Sequence, residues 1–541
     1  MRPGRSVFYS INLLKFLIVK NNIFTQVMFP KVDTNRFDLS HDVKLSFSMG
    51  ELIPTCVMEC LPGDKVEISV NNMLRFAPLV SPVMHRVRVT TDYFFVPNRI
   101  LWSDWEKWIT GDAEVEAPFV TLNGEVAQGT VSDYLGIPPK DYEFDIKVSP
   151  LPHAAYLKIY DEFYRDQNLQ SEEFLPINAG EQVAGYEALM KTKTPLHRNW
   201  EHDYFTSALP FAQKGDEVQI PLTNAPDQVV QYMGSGDSSI NAPVFRNRDD
   251  DTVMGAGFIG PVENAAGPTP ITASMHVDGQ PAAYDPNGSL VVDVQSDATS
   301  INTLRRAFRL QEWLERNARG GTRYIENILA HFGVRSSDKR LQRPEWIGRD
   351  RQNMVISEVL ATAQSTDDGV AVGTMAGHGI SVGGGKQFSY RCEEHGYIIG
   401  LINVQPDTAY QDGLHRSFSR FDRLDYAWPS FAHIGEQEIM LSELYAHHED
   451  APISVFGYIP RYSEYKFLNS RVAGEMRSSL AYWHLGRQFA SSPALNALFV
   501  RCDPSTRIFA VTDPEEDHIF AHIYNDVKAV RKLPRFGIPT I

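Results

Sequence analysis

The stretch DVKLSFSM, residues 42–49, alternates polar and apolar side chains at every position. Successive side chains of a β-strand point to opposite faces of its sheet, so this pattern predicts a strand with one buried face. After a turn at Pro62-Gly63, the apolar residues Val66, Ile68 and Val70 repeat the two-residue period and predict a second strand. The first part of the chain is therefore predicted to form a β-sheet.

Further strand patterns follow along the chain, most of them in its second half. The further predicted strands are Val83 to Val96, which Pro97 stops, and 388–392, 397–404, 453–459, 498–502 and 507–511, the last two joined by a hairpin loop at 503–506. Strands near both chain ends, separated by long insertions, fit an antiparallel sandwich whose sheets pair across large sequence distances. Over residues 41–541 we predict a single mainly β domain, an eight-stranded antiparallel jelly roll with long loop insertions and a few helices.

Helical patterns occur at a few places between these strands. The residues Ser103 to Glu106 have the capping-box spacing and predict a short helix, and a longer helix is predicted over 154–165. Apolar residues at helical spacing predict a helix from Leu304 to Gly320 and another that ends at Gly333. Residues 112–150 contain paired prolines and are predicted to be rich in loops.

The charge of the chain is negative and unevenly distributed. A formal charge of -16 and a pI near 5.5 argue against a protein that binds nucleic acid over its whole surface, because phosphates require clustered Lys and Arg. Residues 213–300 contain twelve acidic and three basic side chains, whereas residues 301–351 contain six acidic and twelve basic. This asymmetry indicates that the acidic region faces solvent or a host surface and that the basic region packs against acidic groups or phosphate. In the alternative interpretation both regions are ordinary solvated faces.

The acidic region is predicted to be an insertion on the surface of the domain. Residues 213–300 are rich in Gly, Pro, Asn and Asp and lack helical periodicity, and a compact domain does not normally enclose so long a loop. We therefore predict a surface protrusion over 213–300, followed by a helical segment over 301–333.

Residues 1–40 are predicted to be an N-terminal extension or arm. The apolar run from Ile11 to Val19 contains Lys15 and has no small-residue cleavage site, so it is neither a convincing signal peptide nor a membrane span. We predict that Met28 is the natural start, which N-terminal mass spectrometry of purified particles tests. No later stretch has about eighteen uninterrupted apolar residues, so we expect no membrane insertion. The four cysteines are too few for a disulfide scaffold and are predicted to be reduced, packed thiols.

Several short motifs match chemical sites but lack the context that those sites need. Gly255 to Gly260 matches G-x-G-x-x-G without a strand before it or a helix after it, which argues against a dinucleotide site. Gly379 to Gly383 has the spacing of a nucleophile elbow, but we predict a flexible surface loop there. Lys386 lacks the rest of a phosphate loop, and His447 and His448 lack a metal-ligand spacing. We therefore expect no catalytic residue, no cofactor and no metal.

Two basic clusters are candidate contacts for nucleic acid. Arg416, Arg420 and Arg423 alternate with Phe418 and Phe421, a mixture suited to phosphates and unstacked bases. In the alternative interpretation the rings belong to the core and the arginines pair with Asp422 and Asp425. The second cluster, near the C-terminus, consists of Arg531, Lys532 and Arg535.

Three consecutive aspartates, Asp249, Asp250 and Asp251, lie within the predicted insertion. Clustered carboxylates suit a hard cation such as calcium at a subunit contact, but an exposed loop is the preferred interpretation. We therefore regard these residues as candidate contacts of the insertion with a host surface.

Four longer blocks resemble the major capsid protein of the Microviridae, the small single-stranded DNA phages, in their gokushovirus branch. These blocks are TDYFFVPNR at 91–99, ARGGTRY at 318–324, EEHGYIIG at 393–400 and FAHIGEQ at 431–437. The match around the second block continues through HFG at 331–333 and RLQRPE at 340–345. The resemblance extends over residues 37–536. It implies a jelly-roll major capsid protein that self-assembles into a T=1 icosahedral shell around circular single-stranded DNA, and it implies that the chain is not an enzyme.

The same resemblance implies partners and a location. It implies contacts with other copies of the chain, packaged single-stranded DNA, an internal scaffolding protein, a DNA pilot protein, a small basic DNA-binding protein and a host surface receptor. The chain is then expected in the virion capsid, and in the host cytoplasm during assembly, with its basic clusters facing the genome and 213–300 facing the host. The alternative function is a β-sandwich polysaccharide-binding protein or glycoside hydrolase, with carboxylates or aromatic side chains in a cleft.

Overall fold

A computed structural model describes residues 34–111, 114–182, 184–216, 218, 301–360, 375–513 and 516–536, together with the backbone of five short strands within 231–291. These residues form two compact units. One contains the described parts of Met1–Ala212 and Arg319–Ile541, and the other contains the described parts of Gln213–Ala318. The protein is mainly β, with antiparallel sheets and few helices, as the alternating patterns predicted.

Twenty strands lie in the described residues, and every pairing between two of them is antiparallel. In chain order the strands are β1 (Asn35–Asp38), β2 (His41–Phe47), β3 (Ile53–Cys60), β4 (Lys65–Phe76), β5 (Val87–Pro97), β6 (Val120–Glu125), β7 (Asp141–Val148), β8 (Gln231–Tyr232), β9 (Phe245–Asn247), β10 (His276–Val277), β11 (Gln280–Tyr284), β12 (Leu290–Val291), β13 (Glu345–Asn353), β14 (Val355–Leu360), β15 (Met375–Gly384), β16 (Phe388–Arg391), β17 (Gly396–Pro406), β18 (Glu436–Met440), β19 (Val455–Pro460) and β20 (Ile519–Arg531).

Helices are fewer and mostly short. The α-helices of the described residues are α1 (Asn98–Leu101), α2 (Trp105–Ile109), α3 (Val131–Leu135), α4 (Leu151–Phe163), α5 (Ala184–Thr192), α6 (Ile301–Gly320), α7 (Tyr324–Phe332), α8 (Leu441–Leu444) and α9 (Ala497–Val500). Turns of 3-10 helix lie at Arg416–Phe418, Arg423–Asp425, Pro429–Phe431, Ser463–Tyr465, Gly474–Arg477 and Ala481–Trp483. Each helix in this part of the chain is too short or too polar to cross a bilayer.

The long strand β20 is an inner strand of a seven-stranded sheet. It pairs with β4 on one side and with β1 and β2 on the other, while β4 also pairs with β15 and β16, and β15 pairs with β14. Alternate residues of β20, among them Ile519, Ile523 and Val527, are fully buried in the main core. This sheet joins strands from both ends of the chain, as predicted for a sandwich, although β20 itself was missed in the sequence.

A four-stranded sheet in the order β13-β5-β17-β3 forms the second layer. Tyr93 and Phe95 on one face of β5 join the main core together with residues of β4 and β20. Phe94 and Val96 on the other face pack against α4 and its neighbours, in a second core that includes Trp102, which is fully buried. Because this sheet is covered on both faces, β5 has a continuous apolar run instead of alternation.

A third, smaller core lies around the β18-β19 hairpin. It contains the buried side chains of Tyr204, Phe205, Ile439, Leu444 and Phe456. Phe205 packs edge-on against Phe456 with ring centroids 6.3 Å apart. This core supports the segment that carries the first arginine cluster.

Several local predictions were wrong. Residues 498–502 contain the short helix α9 where a strand was expected, and no strand covers 507–511 in the described structure. The predicted capping box before α2 is absent, because Asp104 is at the N-cap position and its side chain makes no capping hydrogen bond. Residues 112–150 contain β6, α3 and β7, whereas loops were predicted.

The glycine-rich stretch from Gly379 to Gly385 is not a flexible surface loop. Most of it belongs to β15, and the buried Ser381 donates a hydrogen bond to the Asn353 carbonyl oxygen at 3.1 Å. A Cβ atom at Gly384, where φ is +125°, would collide with the carbonyl oxygen of Val70. Close strand packing therefore requires glycine at this position. This packing explains why the stretch is rich in glycine, and neither phosphate binding nor a nucleophilic serine is needed to explain it.

The four cysteines, Cys56, Cys60, Cys392 and Cys502, are buried free thiols, as predicted. Burial raises the pKa of Cys56 to about 12, because an apolar surrounding disfavours the thiolate. A thiol at this position is chemically inert at neutral pH.

Candidate functional site

The first arginine cluster lies in an exposed stretch, residues 414–434, which we name the aromatic segment. Its backbone is built from three turns of 3-10 helix at Arg416–Phe418, Arg423–Asp425 and Pro429–Phe431. The side chain of His415 caps the first turn, where its Nδ1 accepts a hydrogen bond from the backbone N–H of Ser417 at 3.2 Å. Trp428 closes the segment by donating its indole N–H to the Arg423 carbonyl oxygen at 2.9 Å.

Two of the three arginines are anchored to buried carboxylates. Arg416 donates to Glu443 Oε1 at 3.0 Å and to the Glu438 carbonyl oxygen at 2.6 Å. Arg420 donates to Glu464 Oε1 at 3.0 Å, and its guanidinium stacks over the Tyr465 ring with 4.4 Å to the centroid. The Arg420 and Glu464 side chains are only 9% and 4% exposed, so this ion pair belongs to the interior of the protein.

Neutral donors satisfy the remaining oxygens of the two glutamates. Tyr204 donates its hydroxyl to Glu443 Oε2 at 2.9 Å, and the Gln437 amide donates to Glu464 Oε2 at 2.7 Å. Burial raises the pKa of Glu443, and the positive charge of Arg416 opposes that rise. The arrangement is a buried network of hydrogen bonds and ion pairs that holds the aromatic segment to the β18-β19 region.

The alternative interpretation of this cluster was wrong in both parts. Phe418 and Phe421 are 66% and 91% exposed, so they do not belong to the core. Asp422 and Asp425 do not pair with the arginines. The Asp425 carboxylate accepts hydrogen bonds from the backbone N–H groups of Phe421 and Asp422 at 2.8 and 2.7 Å, and the Asp422 carboxylate accepts one from that of Arg423 at 2.6 Å. Backbone donors to its carboxylate also lower the pKa of Asp425.

Arg423 differs from the other two arginines. Its side chain is exposed, and no carboxylate of the described residues lies within 4.0 Å of its guanidinium. Glu443 and Glu464 neutralise the charges of Arg416 and Arg420. The charges that remain in the aromatic segment are the positive charge of Arg423 and the negative charges of Asp422 and Asp425, so the net charge is -1. The segment therefore presents rings and one free guanidinium, but no net positive charge.

The second basic cluster follows β20. Arg531 is held by the fully buried Asp64, with 3.0 Å between Arg531 Nε and Asp64 Oδ2, and it donates to the Glu59 carbonyl oxygen at 2.6 Å. Lys532 and Arg535 are exposed, and the Lys532 side chain passes close to Gly63. Two of these three cations thus remain available to a ligand, and no described contact joins this cluster to the aromatic segment.

The remaining candidates offer no chemical site. Asp249, Asp250 and Asp251 lie outside the described residues. His447 and His448 lie 3.9 and 3.8 Å from single carboxylates, those of Asp412 and Asp450. Within the described ranges, no group of three or more His, Cys, Asp or Glu side chains is placed to hold a metal ion.

Sequence reasoning did not single out Glu443 and Glu464. A signal was present for Glu443, which lies in the mainly apolar stretch 439–446. A carboxylate there needs a partner when the stretch is buried. Nothing local identified that partner, because Arg416 and Glu443 lie on different elements.

We expect the substitution Glu464→Gln to lower the free energy of unfolding by about 2 kcal/mol, because it leaves the buried Arg420 guanidinium without its counter-charge. The amide has the shape of the carboxylate, so packing is preserved. Chemical denaturation of dissociated subunits measures the change, and the same substitution at the exposed Glu475 is the control. Equal stability of the two variants would contradict an anchoring role for Glu464.

A cavity of about 1090 Å³ lies beside β2 and is lined mainly by acidic side chains. Glu51, Asp133, Asp503 and Asp517 line it, together with Lys44. Burial raises the pKa of Glu51 from 4.5 to about 7, and the charges of Asp517 and Asp503 add to the rise, while a hydrogen bond from the Ser48 backbone opposes it. Glu51 therefore binds a proton near neutral pH in the folded protein.

Glu51 is expected to make stability depend on pH. Between pH 4.5 and about 7 the folded protein retains a proton that the unfolded chain releases, so the free energy of unfolding falls as pH rises through this window. In the wild type we expect the free energy of unfolding to fall by an amount on the order of 1–3 kcal/mol across this pH window because of Glu51. In the Glu51→Gln variant we expect this decrease to be absent. Denaturant titrations at several pH values measure it, with Glu59→Gln as the control for the loss of an exposed carboxylate. Parallel profiles for wild type and the Glu51 variant would contradict the prediction.

Comparison with known proteins decides what kind of molecule carries these features. The family described as "Capsid protein (F protein)" matches residues 25–541. The chain belongs to this capsid protein family. It is 33% identical to capsid protein VP1 of Chlamydia phage 1 and 34% identical to capsid protein VP1 of Bdellovibrio phage phiMH2K, in both cases over 96% of this chain and 98% of the relative.

A third relative extends the same result. Capsid protein VP1 of Spiroplasma virus 4 is 31% identical over 87% of this chain and 88% of its own length. All three phages belong to the Microviridae, so the resemblance found in the four sequence blocks is confirmed. As a member of the capsid F protein family, the chain is a structural component of a virion capsid and not an enzyme, and the polysaccharide-binding alternative is not favoured.

Membership of a capsid family also changes how the surface is interpreted. A capsid protein self-assembles, so its functional surfaces include those that meet other copies, and a catalytic cleft is not expected. The exposed rings of the aromatic segment and the exposed cations after β20 are therefore candidate contact surfaces.

Proposed function

We propose that the chain assembles into a T=1 icosahedral shell that encloses circular single-stranded DNA. The observation that carries this proposal is the match to capsid proteins of Microviridae over nearly the whole chain. Electron microscopy of the purified protein, followed by nuclease treatment and analysis of protected nucleic acid, tests it. We expect closed particles of one size with protected circular DNA, and a monomer at high concentration would reject the proposal.

We further propose that the sandwich is an eight-stranded jelly roll. The support is the order of eight strands in two sheets, β2-β20-β4-β15 and β3-β17-β5-β13, in which chain neighbours such as β2 and β3 belong to opposite sheets. This alternation between sheets is what two interleaved Greek keys produce. A cryo-EM reconstruction of the particle tests the strand order, and a different order would reject the jelly roll.

For contact with the genome we propose the C-terminal cluster of Arg531, Lys532 and Arg535. Lys532 and Arg535 are exposed cations, and phosphate neutralisation by such cations releases counterions and favours binding. Arg416, Arg420 and Arg423 have weaker support, because two of these guanidiniums already pair with buried carboxylates.

The double variant Lys532→Glu with Arg535→Glu tests the genome contact without disturbing the Arg531–Asp64 pair. We expect particles with less packaged DNA per shell and unchanged subunit stability. The same charge reversal at the exposed Lys140, on the loop before β7, is the control. Normal DNA content in the double variant would count against the proposal.

We also propose that residues 213–300, including Asp249, Asp250 and Asp251, form a surface protrusion that contacts the host. The support is compositional: this stretch carries a net charge of -9 and is rich in turn-forming residues. Replacing 213–300 with a short Gly/Ser linker is expected to spare assembly and to reduce attachment to host cells. Loss of assembly would reject this division of roles.

The resemblance also supports a set of further partners. We propose an internal scaffolding protein, a DNA pilot protein, a small basic DNA-binding protein and a host receptor, with assembly in the host cytoplasm. We retain the proposal that residues 1–40 form an N-terminal extension or arm, and that Met28 is the natural start of the protein. We also retain the proposal that residues 41–541 form one interrupted domain with a helical segment at 301–333. Mass spectrometry of purified particles tests both, through the co-purifying proteins and the N-terminal peptide.

A further inference from the structure

The aromatic segment forms part of a broad apolar patch on the surface. We define the apolar patch as residues 414–434 with residues 465–468, which adjoin because the Ala427 backbone N–H donates to the Tyr465 hydroxyl at 3.2 Å. Its exposed large apolar side chains are Leu414, Phe418, Phe421, Leu424, Tyr426, Trp428, Ile434, Tyr465, Phe467 and Leu468. Soluble proteins rarely leave so many neighbouring apolar side chains in water, and such patches mark interaction surfaces.

The patch is held in one conformation before any partner binds. Arg416 and Arg420 anchor its first half to buried Glu443 and Glu464. The backbone N–H of Trp428 donates to the Tyr462 hydroxyl at 3.2 Å, which ties the second half of the segment to the turn after β19. A preorganised surface loses little conformational entropy on binding, so its apolar area contributes more fully to affinity.

The charges of the patch favour a protein partner over nucleic acid. With Arg416 and Arg420 neutralised, the exposed charges of the apolar patch sum to zero. They are those of Arg423, Lys466, Asp422 and Asp425. Phosphate binding requires an excess of cations, which this surface lacks. An apolar surface that carries equal numbers of cations and anions is instead typical of a contact with another protein surface.

We infer that the apolar patch is buried against the same patch of a second copy of this chain, related by a twofold axis. The charges within this one surface are complementary: Arg423 has no carboxylate partner in the described residues, and the exposed Asp422 and Asp425 lie within two positions of it. In a twofold contact each copy supplies what the other lacks, so Arg423 of one copy faces Asp422 or Asp425 of the other. The inference rests on the proposed shell, which contains twofold axes.

The first test replaces the most exposed ring. Phe421 is 91% exposed, so Phe421→Asp is expected to leave the thermal stability of the isolated subunit unchanged. At a buried contact between copies, the same change is expected to raise the protein concentration needed for assembly at least about tenfold. Phe421→Leu, which keeps an apolar side chain, is the matched control and is expected to assemble as wild type does.

The second test identifies the partner surface. The native cysteines are all buried, so Phe421→Cys introduces a single reactive thiol. At concentrations where the chain associates, a short thiol-specific bis-maleimide is expected to join two copies of this variant into a covalent dimer. A twofold contact pairs each copy of this residue with one other copy, whereas a threefold or fivefold axis leaves one thiol of each ring unpaired. Near-complete conversion to the dimer therefore supports the inference, and absence of the dimer rejects it.

The outcomes separate this inference from the proposed shell. Normal assembly of Phe421→Asp would overturn the inference, and so would normal assembly with loss of packaged DNA, which would assign the patch to the genome. A wild-type chain that never forms closed shells would reject the proposed function, whereas the cross-link between copies would still test the contact.

Discussion

Replacing Asp92 with alanine is expected to lower the free energy of unfolding by about 3–5 kcal/mol, because it breaks a buried ion pair by removing one partner. Asp92 lies on β5 and is only 2% exposed. It accepts two hydrogen bonds from Arg349, directly across from it on β13, at 2.7 and 2.9 Å. The Trp346 indole and the Tyr164 hydroxyl donate to the same carboxylate at 3.1 and 2.9 Å, so four donors lose their acceptor at once.

Chemical denaturation of dissociated subunits measures the Asp92 variant. Arg36→Ala is the matched control, since it removes one side of the exposed Arg36–Glu67 pair and is expected to change stability by less than about 1 kcal/mol. The double variant Asp92→Leu with Arg349→Met should recover part of the loss, because neither charge is then buried alone. A loss below about 1 kcal/mol for Asp92→Ala would show that water replaces the carboxylate, contrary to the prediction.

Replacing Phe95 with alanine is expected to lower the free energy of unfolding by about 3–5 kcal/mol. The Phe95 side chain is 1% exposed in the main core, where its ring lies 5.2 Å from that of Tyr390 between the two sheets. The strands on either side are paired along much of their length, which limits how far they can close on the vacated space. The loss of stability therefore has two parts: the favourable free energy of burying the ring, and the cost of the cavity that remains.

The control for this prediction is Phe144→Ala on β7. Phe144 is 77% exposed, so its truncation is expected to change stability by less than about 0.5 kcal/mol. Urea titration of dissociated subunits compares the two variants directly. If Phe95→Ala matched the control, the interior between the sheets would have to be loosely packed at this position, and the assignment of Phe95 to the main core would be wrong.

Much of the fold was predictable because strand and helix periodicities are local. The alternation at 42–49 predicted β2, the apolar run ending at Val96 predicted β5, and the helical spacing after Leu304 predicted α6. Strand β15 was missed because its many glycines have low strand propensity, and only contact with β4 and β14 makes that conformation favourable. At such a position, packing against neighbouring strands outweighs the low strand propensity of the residues.

The candidate surfaces were less predictable than the fold. Spacing alone identified Arg416, Arg420 and Arg423 as one cluster, but the structure divides them into two anchored arginines and one free arginine. Their partners, Glu443 and Glu464, lie on other elements, and no pattern near the arginines indicated that these carboxylates would be buried beside them. The charge available to a ligand is therefore a property of the folded surface, not of the composition.

By itself the sequence determined the mainly β class, the reduced state of the cysteines and membership of a capsid family. Each follows from information within single segments: side-chain alternation, cysteine spacing and long ordered blocks such as EEHGYIIG at 393–400. Only the tertiary structure decided which strands adjoin, which charges are neutralised and which rings are left in water. Those outcomes depend on contacts between residues far apart in the chain, such as Phe76 on β4 with Ile519 on β20. A side chain becomes buried or stays exposed only when such contacts have formed.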